Sequence, residues 1–204
     1  MHQHAAYERI RGALLDALPM ATAFHGVLYR ACDPIYANTR DLLRGEGSQK
    51  QGGRWNPPRG CATIYLATSV EGAMAETLGL PSHYGFDPAA RLPLTVVAVD
   101  AALERVIDFT DSDLRKLLGV TLSAMTACDW RTENAAGTEA LPQMIGRVAF
   151  ELGAQGIIVP SAVKRTLKNL NVFPANLRGA SHLKIRRSEN LPPPTSGGII
   201  GSSS

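Results

Sequence analysis

The stretch over residues 156–186, "GIIVPSAVKRTLKNLNVFPANLRGASHLKIR", holds three short apolar segments with no helical spacing between them. These segments are "GIIVPSA" (residues 156–162), "NLNVF" (residues 169–173) and "HLKIR" (residues 182–186). Each has the length and composition of a β-strand. Strands that follow one another without intervening helices favour a mixed or antiparallel sheet over a doubly wound parallel one. We therefore expect an α+β fold with a mixed or antiparallel sheet core and flanking helices.

The rest of the chain supplies the other elements of that fold. Apolar runs predict strands over residues 26–32, 62–67, 94–99 and 105–109. Helical spacing and end signals predict helices over residues 5–18, 69–78, 111–118 and 139–152. At the start of the second helix, Thr68 and Glu71 have the spacing of a capping box. Gly79 and Pro81 are expected to end that helix.

The length of 204 residues predicts one domain with extensions. We assign residues 1–25 to an N-terminal helical extension and residues 26–188 to the main domain. Residues 189–204 are rich in proline, glycine and serine, which predicts a disordered tail.

Composition excludes several classes of function. The N-terminus has no uninterrupted apolar segment of a secretory signal, because Glu8, Arg9 and Asp16 interrupt it, and the sequence has no apolar run near the ~18 residues that a membrane span needs. The chain is therefore predicted to be cytoplasmic, with no membrane contact. The net charge is only +3, and the sequence has no dense Lys/Arg run with interleaved aromatic residues, so no direct nucleic-acid contact is expected.

The cysteines and histidines show no metal motif. Cys32, Cys61 and Cys128 are widely spaced and odd in number, which indicates neither a disulfide framework nor a CxxC site. The sequence also lacks HExxH, a cluster of carboxylates of the Ca²⁺ or Mg²⁺ type, GxGxxG after a strand, and GxxxxGK[ST]. We predict no metal, no Rossmann turn and no P-loop.

The loop "QGGRWNPPRG" (residues 51–60) is the first candidate for chemistry. Gly52 and Gly53 allow the backbone to approach a ligand closely, and Arg54 adds a planar cation that can grip phosphate by two parallel hydrogen bonds. Arginine supplies 16 of the 21 basic side chains, which is consistent with an anionic ligand or with genomic bias. The alternative is a plain turn with Trp55 buried in the core and Arg54 in solvent.

Glu76 and Ser161 are the next candidates. Glu76 lies among small residues in "EGAMAETLG", which leaves space for a ligand beside the carboxylate, although a solvated helix face is the commoner position of a lone Glu. Ser161 follows a buried strand. Because it has neither a GxSxG motif nor a histidine partner, it is expected to bond a ligand or cap a turn and not to act as a nucleophile. Tyr29, Arg30 and Tyr65 lie on predicted strands, where core packing and ligand contact both remain open.

Several of these segments, taken in order, resemble the RES domain. They are "LYR" (residues 28–30), "GGRWNPPRG", "IYLA", "AMAE", "MIGRVAFELGAQGIIVPSA" and "NLNVF". The similarity runs from about residue 26 to residue 186, and it includes the interval of 22 residues between Arg54 and Glu76 with Tyr65 between them. The combination is far more specific than any of its parts. Residues 108–139 have no evident counterpart in the family, and residues 162–170 carry a longer, more basic connection than expected.

The resemblance implies a fold related to ADP-ribosyltransferase toxins and NAD⁺ as the substrate, with no cofactor. It implies a catalytic set of Arg30, Glu76 and Ser161, in which Glu76 stabilises the charge that develops on the ribose and Ser161 orients the nicotinamide end. It also implies a substrate-binding set. Arg54, together with Arg30, holds the pyrophosphate, Gly52 and Gly53 admit it, and Tyr29 and Tyr65 pack against the nicotinamide ring or ribose.

Three functions follow from this set. The first is an NAD⁺-degrading toxin that cleaves the nicotinamide–ribose bond, as a glycohydrolase or a phosphorylase, in a type II toxin–antitoxin system. The second is an ADP-ribosyltransferase that modifies a host protein, and the third is a non-catalytic nucleotide-binding module. A toxin of this family implies an Xre-type antitoxin partner in a hetero-oligomeric complex.

Overall fold

The computed structural model describes residues 1–83 and 92–193. Its helices are α1 (Tyr7–Ala17), α2 (Thr39–Arg44), α3 (Glu46–Gln51), α4 (Val70–His83), α5 (Ser112–Leu118), α6 (Leu122–Thr126), α7 (Trp130–Ala135) and α8 (Leu141–Glu151). Its strands are β1 (Thr22–Cys32), β2 (Ile64–Ala67), β3 (Thr95–Asp108), β4 (Gly156–Pro160), β5 (Lys168–Val172) and β6 (His182–Ile185).

The strands form one mixed sheet. Among the described residues the order is β1–β2–β5–β4–β3–β6, and β1 also pairs with β3. The β3–β4 pairing is parallel and the others are antiparallel. Because β1 pairs with both β2 and β3, five of the strands close into a circuit. This mixed sheet with flanking helices confirms the predicted fold class.

The two faces of the sheet bury different cores. Along β5, Leu170 and Val172 join the apolar cluster on the inner face of the circuit. Phe173 joins a second cluster, between the outer face and helices α1, α5 and α8. Since side chains alternate between faces along a strand, Asn169 and Asn171 share the outer face with Phe173. Two polar residues therefore stand on a face that elsewhere packs against helices.

Helix α1 belongs to the outer core. Its Ile10 and Leu14 are fully buried in the outer cluster, and each contributes about 1.5–3 kcal/mol by leaving water. Strand β1 begins at Thr22, before the domain boundary that was placed at residue 26. The division into extension and main domain stays a prediction.

Two predicted strands are one. The segments predicted over residues 94–99 and 105–109 belong to the single strand β3. The intervening "DAALE" has weak strand propensity, but it pairs with β1 on one side and with β6 on the other, as in Asp100 opposite Val27 and Lys184. Pairing on both edges overrides local propensity here.

The start and end of α4 also differ from the prediction. The cap is Ser69, whose Oγ accepts from the backbone N–H of Gly72 at 3.0 Å, whereas Thr68 donates its hydroxyl to the carbonyl of Lys168. The helix continues past Gly79 to His83. The proposed capping box and the predicted end at residue 78 are therefore wrong.

Four short helices were not predicted. Helices α2, α3, α6 and α7 have only five or six residues each, too short to show an apolar repeat. At the start of the predicted tail, Ser188–Asn190 form a 3₁₀ turn across its boundary, and residues 194–204 lie outside the described residues.

Candidate active site

The loop between α3 and β2 is fixed to helix α8. Trp55 is buried and its ring stacks on Phe109 with 6.1 Å between centroids. The carbonyl of Trp55 approaches Gly146 so closely that a Cβ there would lie 1.9 Å from the oxygen. The loop therefore rests on the helix backbone, which only glycine permits at this position.

A buried hydrogen-bond network, which we call the loop brace, holds the same segment from inside. It consists of Asn56, Tyr65, Asn134 and Gln143. The Tyr65 hydroxyl donates to Asn56 Oδ1 at 2.7 Å and accepts from the N–H of Trp55 at 3.0 Å. Asn56 Nδ2 donates to the carbonyl of Ser48 at 2.8 Å.

The other half of the loop brace comes from α7 and α8. Gln143 Nε2 donates to the carbonyl of Gly53 at 2.9 Å. The side chains of Gln143 and Asn134 also pair amide to amide, with bonds of 2.7 and 2.9 Å in opposite directions. The loop that carries Arg54 is thus held by side chains of β2 and α8, and Asn134 of α7 fixes the amide of Gln143.

Gly52 and Gly53 have roles in this packing that the sequence did not indicate. Gly52 has φ +78° and lies against Pro58, so a side chain would be strained there. A Cβ on Gly53 would lie 2.3 Å from the Tyr65 hydroxyl. Both glycines line the cavity, and both are already required by the loop itself.

A cavity of about 850 Å³ opens beside this loop. Three groups of residues line it. The loop and α3 supply Gly47, Ser48 and residues 51–55; the sheet and α4 supply Tyr65, Glu76, Gly79, Pro160, Asn169 and Asn171; and residues 126–131, with Ala162 and Val163, complete the wall.

Arg54 crosses from the loop to the wall formed by residues 126–131. Its Nη1 donates to the carbonyl of Cys128 at 2.8 Å. Desolvation lowers the pKa of the guanidinium, and Cys128 and Glu76 act against that shift. The charge of Arg54 therefore interacts with that of Glu76 within one cavity, which suits a ligand that carries both negative and positive groups.

Glu76 is held on one oxygen. Its Oε1 accepts from Ser161 Oγ at 2.6 Å and from Asn169 Nδ2 at 2.7 Å. Ser161 is 1% exposed, and its Oγ accepts from the N–H groups of Val163 and Lys164 at 3.2 and 3.0 Å. The hydroxyl proton of Ser161 goes to Glu76, so Ser161 orients the carboxylate.

The predicted site residues divide into three groups. Gly52, Gly53, Arg54, Tyr65 and Glu76 line the cavity. Ser161 reaches it through its bond to Glu76.

Tyr29 and Arg30 do not line the cavity. Tyr29 pairs with Ala67 of β2 and so shares the outer face with the cavity residues. Arg30 is on the inner face, where Nη1 donates to the carbonyl of Leu42 at 2.6 Å and desolvation lowers its pKa. The ligand contacts expected of Tyr29 and Arg30 stay predictions.

Sequence reasoning missed two parts of the site. One is the pair Asn169 and Asn171, which we call the cavity floor; two polar residues on the outer face of a buried strand were its signal in "NLNVF". The other is the wall formed by residues 126–131, which includes Arg131 with its guanidinium 4.1 Å from the centroid of the Trp130 ring. No motif marks this wall.

Within residues 1–83 and 92–193, no group of three or more His, Cys, Asp or Glu side chains could hold a metal ion. No helix in the same residues has the length and apolar character to cross a membrane.

Comparison with known proteins gives both relatives and a fold. NAD(+) phosphorylase MbcT of Mycobacterium tuberculosis (strain ATCC 25618 / H37Rv) is 33% identical over 129 residues, which is 60% of this chain and 62% of the relative. The protein of the same name from Mycobacterium bovis matches equally. This chain thus spans under two thirds of the length of these relatives.

A solved structure extends the similarity. In the crystal structure of the M. tuberculosis MbcT–MbcA toxin–antitoxin complex, one chain superposes with a TM-score of 0.66 at 24% identity, over 87% of this chain and 91% of that one. This establishes a shared fold. The model of the RES domain matches residues 27–193. The chain is a member of the RES domain family.

Proposed function

We propose that this protein is an NAD⁺-degrading toxin, which cleaves the bond between nicotinamide and ribose with phosphate or water as the acceptor. The observation that carries the proposal is the carboxylate of Glu76, fixed on Oε1 by Ser161 and Asn169 in the same cavity as Arg54. The 33% identity to an NAD(+) phosphorylase supports the substrate.

The chemistry needs few protein groups. As the bond between the ribose C1′ and the ring nitrogen breaks, its electron pair goes to the ring, so nicotinamide leaves as a neutral molecule. Positive charge develops on the ribose, as in glycoside hydrolysis. Glu76 is the group that stabilises it, through the oxygen that neither Ser161 nor Asn169 uses.

The acceptor completes the reaction. An oxygen of phosphate or water bonds to C1′, and a water acceptor loses a proton to solvent. Arg54 binds the pyrophosphate through its second terminal nitrogen, which is not used in the bond to Cys128. The loop brace keeps the guanidinium aimed at the cavity, and no part of this scheme uses a metal.

A partner belongs to the same proposal. An enzyme that consumes NAD⁺ harms its own cell, so we expect an antitoxin of the Xre type that blocks the cavity in a hetero-oligomeric complex in the cytoplasm. The structural likeness to a chain of a toxin–antitoxin complex supports this expectation.

The test is mass spectrometry of the products formed from NAD⁺, with and without phosphate. Nicotinamide together with ADP-ribose phosphate, or with free ADP-ribose, is the expected result. Protein labelled with ADP-ribose would identify a transferase instead, and binding without nicotinamide release would identify a non-catalytic module.

Two variants on one helix tie the products to the site. Glu76→Gln keeps the shape and should lower turnover about 10²-fold, by comparison with the loss of one preorganised electrostatic group. Glu71→Gln is the matched control, since Glu71 is exposed on the same helix and pairs with Lys164 outside the cavity. Equal activity of the two variants contradicts the role of Glu76.

A further inference from the structure

Strand β5 carries two amide side chains where the outer face of the sheet becomes the cavity floor. Asn171 is fully buried, and Asn169 is partly exposed. Both line the cavity, while Leu170 between them points into the inner core. Position 171 is opposite Tyr65 on β2, and position 169 is opposite Ala67.

Three polar atoms of this pair have no hydrogen-bond partner in the part of the chain that the structure describes. They are Asn169 Oδ1, Asn171 Oδ1 and Asn171 Nδ2, and all three are shielded from solvent. The remaining atom, Asn169 Nδ2, donates to Glu76. Buried polar groups are hydrogen-bonded in the great majority of cases, so three unpaired atoms at one cavity wall indicate a place for a ligand.

The three atoms define the chemistry of that ligand. Two are acceptors and the third is an NH₂ donor. Their complement is a group with two N–H donors and one carbonyl acceptor on the same carbon, which is a primary carboxamide. The protein itself shows this pairing in the loop brace, where Asn134 and Gln143 exchange two bonds.

The position also fits one end of the proposed substrate. Residues two apart on a strand are about 7 Å apart. That is comparable with the length of a nicotinamide ring and its carboxamide. A ring whose ribose bond lies at Glu76 can therefore extend along β5, past Asn169, with its carboxamide at Asn171.

We propose that Asn171, assisted by Asn169 Oδ1, binds the carboxamide of the nicotinamide ring and makes the enzyme specific for the amide over the acid. This inference rests on the proposed function. A carboxylate in place of the carboxamide offers no N–H, so it would set its oxygens against two unprotonated acceptors. The cavity floor discriminates against the acid because the two amide oxygens stay without a hydrogen-bond donor when the acid ring enters.

The test compares three dinucleotides, namely NAD⁺, nicotinic acid adenine dinucleotide and nicotinamide hypoxanthine dinucleotide. We expect kcat/KM of the native enzyme to favour NAD⁺ over the acid analogue at least about 10²-fold, since a site built to hydrogen-bond a group rejects the analogue that lacks it. Asn171→Leu should reduce kcat/KM for NAD⁺ at least about tenfold and cut this preference to a few-fold. Its ratio between NAD⁺ and the hypoxanthine analogue should match that of the native enzyme.

A buried asparagine away from the cavity is the matched control. Asn176 Nδ2 donates to the carbonyls of Phe150 and Ala154. Asn176→Leu should lower Tm and leave the preference for amide over acid unchanged, whereas Asn171→Leu should leave Tm unchanged or raise it. Asn171→Ala, which cannot overfill the site, gives the same measurement if the leucine variant fails to fold.

Each outcome has one reading. A folded Asn171 variant with an unchanged preference for amide over acid overturns the inference, although the proposed function stands. A change confined to the ratio of kcat/KM between NAD⁺ and the hypoxanthine analogue would mean that the cavity floor binds adenine, and it also overturns the inference. A native enzyme that releases no nicotinamide defeats the proposed function itself, and the carboxamide site with it.

Discussion

The loop brace and the cavity floor each contain buried amide side chains, Asn56 and Gln143 in the first and Asn171 in the second, but the hydrogen bonding of these amides differs. In the loop brace, Asn56 bonds to Ser48 and Tyr65, and Gln143 bonds to Gly53 and Asn134. On the cavity floor, the side chain of Asn171 has no hydrogen bond to any described residue. A paired amide fixes a structure, and an unpaired one at a cavity is kept at the expense of stability. The comparison separates residues that shape the site from residues that contact the substrate.

The largest effect is expected from removing a paired amide. Asn56→Ala removes the buried bond to the carbonyl of Ser48 and leaves the proton of the Tyr65 hydroxyl without its acceptor, which should lower the free energy of unfolding by about 3 kcal/mol. Urea denaturation followed by circular dichroism measures this loss. Asn171→Leu is the counterpart on the cavity floor and should change the free energy by less than about 1 kcal/mol. Similar losses of unfolding free energy in both variants would contradict the distinction between paired amides in the loop brace and unpaired amides on the cavity floor.

The second prediction concerns Ser161, which bonds to the same oxygen of Glu76 as Asn169 of the cavity floor. Ser161→Ala removes one of the two bonds to Glu76 Oε1 and the acceptor of two backbone N–H groups. We expect kcat for nicotinamide release to fall about tenfold with KM nearly unchanged, because a charge-assisted bond that orients the carboxylate is lost. Ser161→Cys offers a poorer donor, so its kcat should lie between those of the native enzyme and Ser161→Ala. If Ser161 bound the substrate directly, its replacement by alanine would raise KM as well.

The sequence predicted the parts of this site that belong to motifs or to long elements. The spacing of Arg54, Tyr65 and Glu76 singled these residues out. The successive strands without intervening helices predicted the mixed sheet. The loop brace could not be predicted, since it joins Asn56 to Gln143 across 87 positions of the chain. Only tertiary contacts bring such residues together.

The position of Arg30 could not be predicted although it belongs to a motif. The local pattern "LYR" cannot tell which of two neighbours faces the ligand, because adjacent strand residues point to opposite faces and the register decides. Pairing of Tyr29 with Ala67 puts Tyr29 on the outer face and Arg30 on the inner one. The wall at residues 126–131 was missed because its helices are single turns without an apolar repeat.

A smaller effect is expected for Tyr65, whose ring lines the cavity while its hydroxyl belongs to the loop brace. Tyr65→Phe keeps the ring and removes one donor and one acceptor, so we expect a loss of about 1–2 kcal/mol in the free energy of unfolding. KM for NAD⁺ should rise a few-fold, as Arg54 follows the loop. Thermal denaturation and initial rates measure the two effects. A variant with altered kcat and native stability would place the hydroxyl among the substrate contacts.

The smallest effect concerns Cys128, on the wall that anchors Arg54. Burial, and then the hydrogen bond from its Sγ to Glu133 at 3.0 Å, raises the pKa of the thiol to about 12. A raised pKa leaves the thiol protonated at neutral pH, so alkylation by iodoacetamide should keep rising from pH 7 to pH 10 without the plateau of an ordinary thiol near its pKa of about 8.5. Glu133→Gln removes a charge that opposes the thiolate and should raise the rate at pH 8 about threefold, which corresponds to half a pKa unit. Peptide mapping separates Cys128 from Cys32 and from the buried Cys61. A plateau below pH 9 in the native protein would mean that the thiol of Cys128 is open to water and is not held protonated by Glu133.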